Sequence, residues 1–241
     1  MKKHFSLLFI FVITAFSSFA QDQLVVDPNA KMRVLAGSFD KIKVSDGIDI
    51  YLSQSETESL AVSASEEKYA DKIKTVIIGS TLTISYDNSD RGWRGNNKKL
   101  KVYIAFKNID ELHASGASDV IVAGTLQASK LEIRLSGASD FKGNVKADEL
   151  VIDLSGASDV KISGTASLLN LENSGASDFK GYDLAVDICN TKSSGASDVN
   201  ITVNKELTVN ASGASDVYYK GDAIVKTLHS SGASTIAKRD R

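Results

Sequence analysis

Ser155-Gly156-Ala157-Ser158-Asp159-Val160-Lys161-Ile162-Ser163-Gly164-Thr165-Ala166-Ser167-Leu168-Leu169-Asn170-Leu171-Glu172-Asn173 is followed at once by a second Ser174-Gly175-Ala176-Ser177-Asp178. The pentapeptide Ser-Gly-Ala-Ser-Asp begins at Ser115, Ser136, Ser155, Ser174, Ser194 and Ser212, and a variant ending in Thr begins at Ser231. Successive copies start 21, 19, 19, 20, 18 and 19 residues apart. A period that tight makes each repeat one structural unit stacked on the next. Before the turns stand Leu131, Ile133 and Leu135, then Leu150, Ile152 and Leu154, then Leu169 and Leu171, and later Leu207 and Val209. Their neighbours are Lys, Glu, Asp, Ser and Asn, so one face of each strand is buried and the other is wet.

A 19-residue unit of turn, strand, Gly-containing bend and strand matches one coil of a parallel β-helix. Leucine-rich repeats need a Leu-x-x-Leu-x-Leu frame that is missing, and a propeller blade needs about 40 residues. With no six-residue sub-period visible, the reading is an all-β, right-handed parallel β-helix with coils of about 19 residues. Coils about 4.8 Å apart place the seven turns along a column of roughly 29 Å. The strands from Phe39 onward are expected to add several less regular coils. One short helix is expected within 66–75, where Tyr69, Ala70 and Ile73 have helical spacing.

Outward from the repeats, residues 37–241 read as one β-helix domain with regular repeats over 115–235, preceded by a lead-in over 21–36. Residues 1–20 have the layout of a secretory signal peptide. Lys2 and Lys3 precede an apolar run from Leu7 to Phe16 and a Ser18-Phe19-Ala20 cleavage site. The run is short for a membrane span, and no later segment reads as a transmembrane helix. Gln21 rather than Cys follows the cut, which argues against a lipid anchor. Export to the periplasm, the cell surface or the medium of a Gram-negative cell is expected.

Without the signal, 26 basic residues face 30 acidic ones. That mild acidity does not favour nucleic acid as a partner. Cys189 is the only cysteine, so no intramolecular disulfide can form, and its apolar strand makes it a buried thiol.

Two places carry candidate functional residues. Asp119, Asp140, Asp159, Asp178, Asp198 and Asp216 form a row of six carboxylates in a stacked column. At 4.8 Å in water, neighbours repel by about 0.9 kcal/mol before salt screening. Turn backbone, the flanking Lys142, Lys161, Lys180 and Lys220, or bound cations could offset this. The aspartates are therefore either turn formers capping the corner or a linear surface with weak affinity for Ca²⁺; one carboxylate per coil is too few for a calcium cage. No other cofactor is expected. The second place is the polar stretch Asp87–Lys99, which holds the only Trp. There Trp93, Arg91 and Arg94 are candidate ligand contacts, set against a tip whose Trp folds back on a strand edge.

Catalytic readings lack residues. His113 and His229 lie at opposite ends of the column, and no nucleophile–base spacing, phosphate loop or Cys/His cluster is present.

The pentapeptide, the signal and the stretch from Phe39 to Leu52 (Phe-Asp-Lys-Ile-Lys-Val-Ser-Asp-Gly-Ile-Asp-Ile-Tyr-Leu) together resemble a known family. It is the "putative autotransporter adhesin, head GIN domain" family of exported proteins, common in Bacteroidetes. The resemblance covers about Phe39 to Ile236. It implies a parallel β-helix and a surface or adhesion role, and it carries no catalytic residues. No translocator barrel or sorting domain is evident after the last repeat. The charged Ala237-Lys238-Arg239-Asp240-Arg241 is expected to discourage end-to-end pairing. The resulting expectation is a non-catalytic exported β-helix binding a glycan or a surface protein. A self-associating envelope protein and a polysaccharide-active enzyme are the alternatives.

Overall fold

The computed structural model describes residues 27–89 and 98–239. The signal sequence therefore lies outside the described residues. Before the first repeat the strands are β1 (Lys31–Arg33), β2 (Lys41–Val44), β3 (Asp49–Gln54), β4 (Ser59–Ser63), β5 (Ile73–Ile78), β6 (Thr81–Tyr86), β7 (Lys101–Phe106) and β8 (Glu111–Ala114). Helix α1 (Glu67–Ala70) stands between β4 and β5. The repeats supply β9 (Asp119–Leu135), β10 (Asp140–Leu154), β11 (Asp159–Asn173), β12 (Asp178–Ser193), β13 (Asp198–Ala211), β14 (Asp216–Lys220), β15 (Ile224–Ser230) and β16 (Thr235–Lys238). The result is a β-solenoid of about seven turns with a spacing of about 19 residues.

Strands β9 to β13 pair in parallel, each with the next, and keep equivalent residues in register. Inward positions stack into columns. Val120, Phe141, Val160, Phe179, Val199 and Val217 form one; Leu131, Leu150, Leu169, Cys189 and Leu207 form another; all are buried. The first column alternates in size, and the position two residues later compensates. Phe141 and Phe179 are followed by Gly143 and Gly181, whereas Val160 and Val199 are followed by Ile162 and Ile201. A Cβ added at Gly181 would lie 2.4 Å from the Phe179 ring, so each ring spreads over space that the glycine vacates.

The corner column explains the pentapeptide. Gly156 has φ +79°, and a Cβ there would sit 2.4 Å from the Gly137 carbonyl oxygen of the preceding coil. That close approach lets the Ala157 N–H donate to the same oxygen at 2.8 Å. The fourth-position serines are buried without exception from Ser118 to Ser215. Ser158 shows how they are satisfied: its hydroxyl donates to the Ser155 carbonyl at 3.0 Å and accepts the Ser139 N–H at 3.4 Å. The corner therefore leaves few buried polar groups without partners.

The N-terminal end departs from the expectation of several further coils. The β2–β3 layer is sandwiched between the β6–β7 layer and the first repeat, so chain order is not spatial order. Beyond β6–β7 the stack stops being parallel: β5 runs antiparallel on β6, β4 on β7 and β1 on β4. Two coil layers precede the repeats, and antiparallel strands close the end. Helix α1 is four residues long, inside the expected span, and buries Tyr69 and Ala70 over the end of the core. Arg33 fastens this cap by donating to the Ala70 and Ile73 carbonyls, each at 2.9 Å.

Candidate functional site

The aspartate row exists and is longer than the repeats suggest. Asp119, Asp140, Asp159, Asp178, Asp198 and Asp216 are in direct register, and Thr235 ends the row. Pairing of Ile50 with Val120 adds Asp49 as a seventh member, with Lys101 beyond it. Asp49 belongs to Ser45-Asp46-Gly47-Ile48-Asp49, a disguised copy of the pentapeptide. Its Ile48 N–H donates to the Ser118 hydroxyl at 3.2 Å, and Asp46 at φ +68° stands under Gly116. Asp46 tolerates that conformation because its carboxylate accepts the Ser45 hydroxyl at 2.9 Å and the Tyr86 N–H at 3.1 Å. Sequence reasoning missed this corner; the only signal for it is a Ser and an Asp four residues apart, ahead of an alternating strand.

The row is balanced from beside it. Two residues along each strand, Tyr51, Ile121, Lys142, Lys161, Lys180, Asn200 and Tyr218 form a parallel outward row. Lys180 bridges Asp159 at 2.9 Å and Asp178 at 3.2 Å, where a cation shared between coils would have to sit. Tyr218 donates to Asp216 at 3.2 Å, and the Asp159 N–H donates to Asp140 at 3.3 Å. Lys220 does not join them; its ammonium lies over the Tyr182 ring, 4.5 Å from the centroid. Where lysines are missing the strain shows. Burial, then Asp49 and Asp140, push the Asp119 carboxyl above its ordinary value, and burial, then Asp178 and Asp216, do the same to Asp198. Burial also raises Asp49, against the Asp119 N–H and Lys101. Among the described residues, no group of three or more His, Cys, Asp or Glu side chains is arranged to hold a metal ion.

Residues 90–97, and with them Trp93, Arg91 and Arg94, lie outside the described residues. The strands on either side of them, β6 and β7, stack on β2 and β3. Cys189 is fully buried in its apolar column, and burial pushes its thiol up to about 12. His113 pairs with Glu111 at 2.8 Å, and burial lowers its imidazole below the ordinary value.

A different feature offers room for a ligand. A solvent-open groove of about 1140 Å³ runs across the coils, from Gln54 and Lys107 through Gln127, Lys146 and Thr165 to Asn204. Its concavity comes from small side chains: Ala128, Ala147 and Ala166 stack in register beside the row of Gln127, Lys146 and Thr165. Gln54 closes one end by acting as a backbone substitute. Its amide donates to the Lys107 and Gln127 carbonyls at 2.9 and 3.0 Å and accepts the Gln127 N–H at 2.8 Å. Alongside, Thr125 donates to Asn144 at 3.0 Å and Asn144 to Ser163 at 2.9 Å, a ladder of side-chain amides and hydroxyls. No His, Cys or aromatic side chain is among the described residues lining the groove. Sequence reasoning missed this site, although Ala-Ser or Ala-Asp pairs at 128, 147 and 166 recur at the coil period.

Comparison with known proteins agrees with this architecture. The family model described as "putative auto-transporter adhesin, head GIN domain" matches residues 38–223. The chain belongs to the head GIN domain family. No curated protein matches it. Similar solved structures include a putative adhesin from Bacteroides fragilis, with TM-score 0.78 and 23% identity over 88% of this chain and 98% of that one. Another is a putative lipid binding protein from Parabacteroides distasonis, with TM-score 0.69 and 19% identity over 89% of this chain and 98% of that one. A third is a putative adhesin from Parabacteroides merdae, with TM-score 0.61 and 19% identity over 89% of this chain and 98% of that one. At these identities the likeness establishes a shared fold. Among the described residues of this head GIN domain protein, no helix is long and apolar enough to cross a membrane.

Proposed function

We propose that this head GIN domain protein is an exported, non-catalytic adhesin that binds an extended glycan in the groove across its coils. The observation that carries the reading is the kind of atoms the groove offers. Strands β10, β11 and β12 are paired on both sides where they line it, and on β9 the Gln127 N–H and carbonyl are taken by the Gln54 amide, so little of this backbone is free to pair with a peptide. A ligand lying there meets mainly side chains, and these include amides, hydroxyls and a few charges: Gln54, Thr125, Gln127, Lys146 and Thr165. Such groups suit the hydroxyls of a sugar chain better than an apolar ligand. The groove spans successive coils and so fits a polymer rather than a small metabolite. Glu56, Asp148 and Asp187 are its carboxylates, and Asp187 is held by Lys205 at 2.8 Å, an arrangement that favours binding over acid–base hydrolysis.

A glycan array probed with the mature protein tests the reading. Binding is expected to an extended polysaccharide or oligosaccharide, and Thr165→Trp, which fills the groove from an exposed position, is expected to abolish it without lowering the melting temperature. No binding at millimolar sugar, or binding that survives Thr165→Trp, contradicts it.

A further inference from the structure

The two ends of the solenoid are built differently. At the N-terminal end the core is sealed by antiparallel strands and by buried Tyr69, Ala70 and Ile73. At the other end nothing in the described chain covers the last coil. Val225 lies in register with Leu207, Leu228 with Val209 and Ile236 with Val217, so all three continue inward-facing columns. Their partners are 0% exposed, yet Val225 is 38% and Leu228 46% exposed. Strand β15 pairs only with β13, and β16 only with β14, which leaves one edge of each without a hydrogen-bonding neighbour. Among the described residues these edges are open to another strand by backbone pairing.

We propose that this open coil is a dimerisation surface that takes a second copy of the same chain, tail to tail about a two-fold axis. An edge is always complementary to itself under such an axis. Antiparallel pairing of β15 about a point between Lys226 and Thr227 sets Val225 against the partner's Leu228, and Leu228 against the partner's Val225. The inward-facing apolar residues thus cover each other. The charges allow the approach: Thr235 replaces aspartate in the terminal coil, so the two carboxylate rows meet at neutral side chains. Lys226 is held by Glu206 at 3.3 Å, and Arg239 lies over the Tyr218 ring at 3.9 Å. Of the described C-terminal charges, Arg239 is thus engaged at the β14 side chain Tyr218. Because the other end is sealed, the assembly stops at two. Its grooves run toward opposite ends of a doubled column, which would give a multivalent ligand two points of attachment.

Sedimentation velocity and light scattering on the mature chain, from micromolar to near-millimolar concentration, test this independently of any glycan. A concentration-dependent monomer–dimer equilibrium is expected. Leu228→Glu should weaken it about 100-fold, with an unchanged far-ultraviolet circular dichroism spectrum. Amide hydrogen exchange supplies the second readout: β15 of the unaltered chain should gain protection as concentration rises. A strict monomer at every concentration, oligomers larger than two, or a dimer untouched by Leu228→Glu overturns the proposal.

Discussion

Asp46 and Gly156 hold the same left-handed corner conformation by different means, and the difference sets what each position tolerates. Asp46 stacks against only one repeat coil and keeps its side chain by bonding it to Ser45 and Tyr86. Gly156 has the Gly137 carbonyl where a Cβ would go. Gly156→Ala should therefore destabilise the fold by about 2 kcal/mol or more, measured by urea unfolding. An unchanged midpoint would mean that the coils separate easily at the corner. The aspartates make a pH prediction. Asp119 has a folded-state carboxyl raised above its unfolded value, so the stability linked to its protonated form is present below pH 3.8 and is lost as pH rises through the raised value. At pH 7 its charge opposes folding, and Asp119→Asn should raise the melting temperature, by less than about 1 kcal/mol of stability. At pH 3 the two proteins should melt together, whereas a gain that persists there would refute the cost of burying a charged carboxylate beside Asp49 and Asp140 as its source.

At the scale of the elements, the coils alternate two solutions to one packing problem. Phe179 with Gly181 fills the layer that Val160 with Ile162 fills one coil earlier. Phe179→Val alone should cost about 2–4 kcal/mol by leaving a cavity. Gly181→Ile alone should cost at least as much, by driving a side chain into the Phe179 ring. The double variant reproduces the neighbouring pattern and should recover most of the loss, a coupling that a thermodynamic cycle of the four proteins measures. Additive losses would show that the ring and the glycine do not share one space. The repeats were legible in sequence because the pentapeptide and the period-two pattern repeat together. The cap was not, because nothing in the short apolar runs of β4 and β5 encodes antiparallel pairing. The Asp49 corner was hidden because only its first and last residues match the repeat. The groove was hidden because its concavity comes from what Ala128, Ala147 and Ala166 lack.

The whole molecule is a column with one sealed end, one open end and a polar groove across the coils between them. Each feature suits a different partner. In the aspartate row, Lys180 bridges Asp159 and Asp178, and the Asp159 N–H donates to Asp140. The groove offers mainly amide and hydroxyl side chains, which support the glycan proposed for it, while the open coil offers the backbone edge proposed to take a second copy. Dimerisation through β15 can fail without affecting the groove, and the reverse holds. The groove is the place where this head GIN domain protein is proposed to meet its ligand. Titrating the isotope-labelled protein with an extended glycan that it binds, while following backbone amide chemical shifts, tests this most directly. The account predicts perturbations confined to Gln54, Gln127, Lys146, Thr165 and their neighbours around the groove. Shifts clustered instead at the Asp87–Lys99 loop or along the aspartate row, with the groove silent, would contradict it.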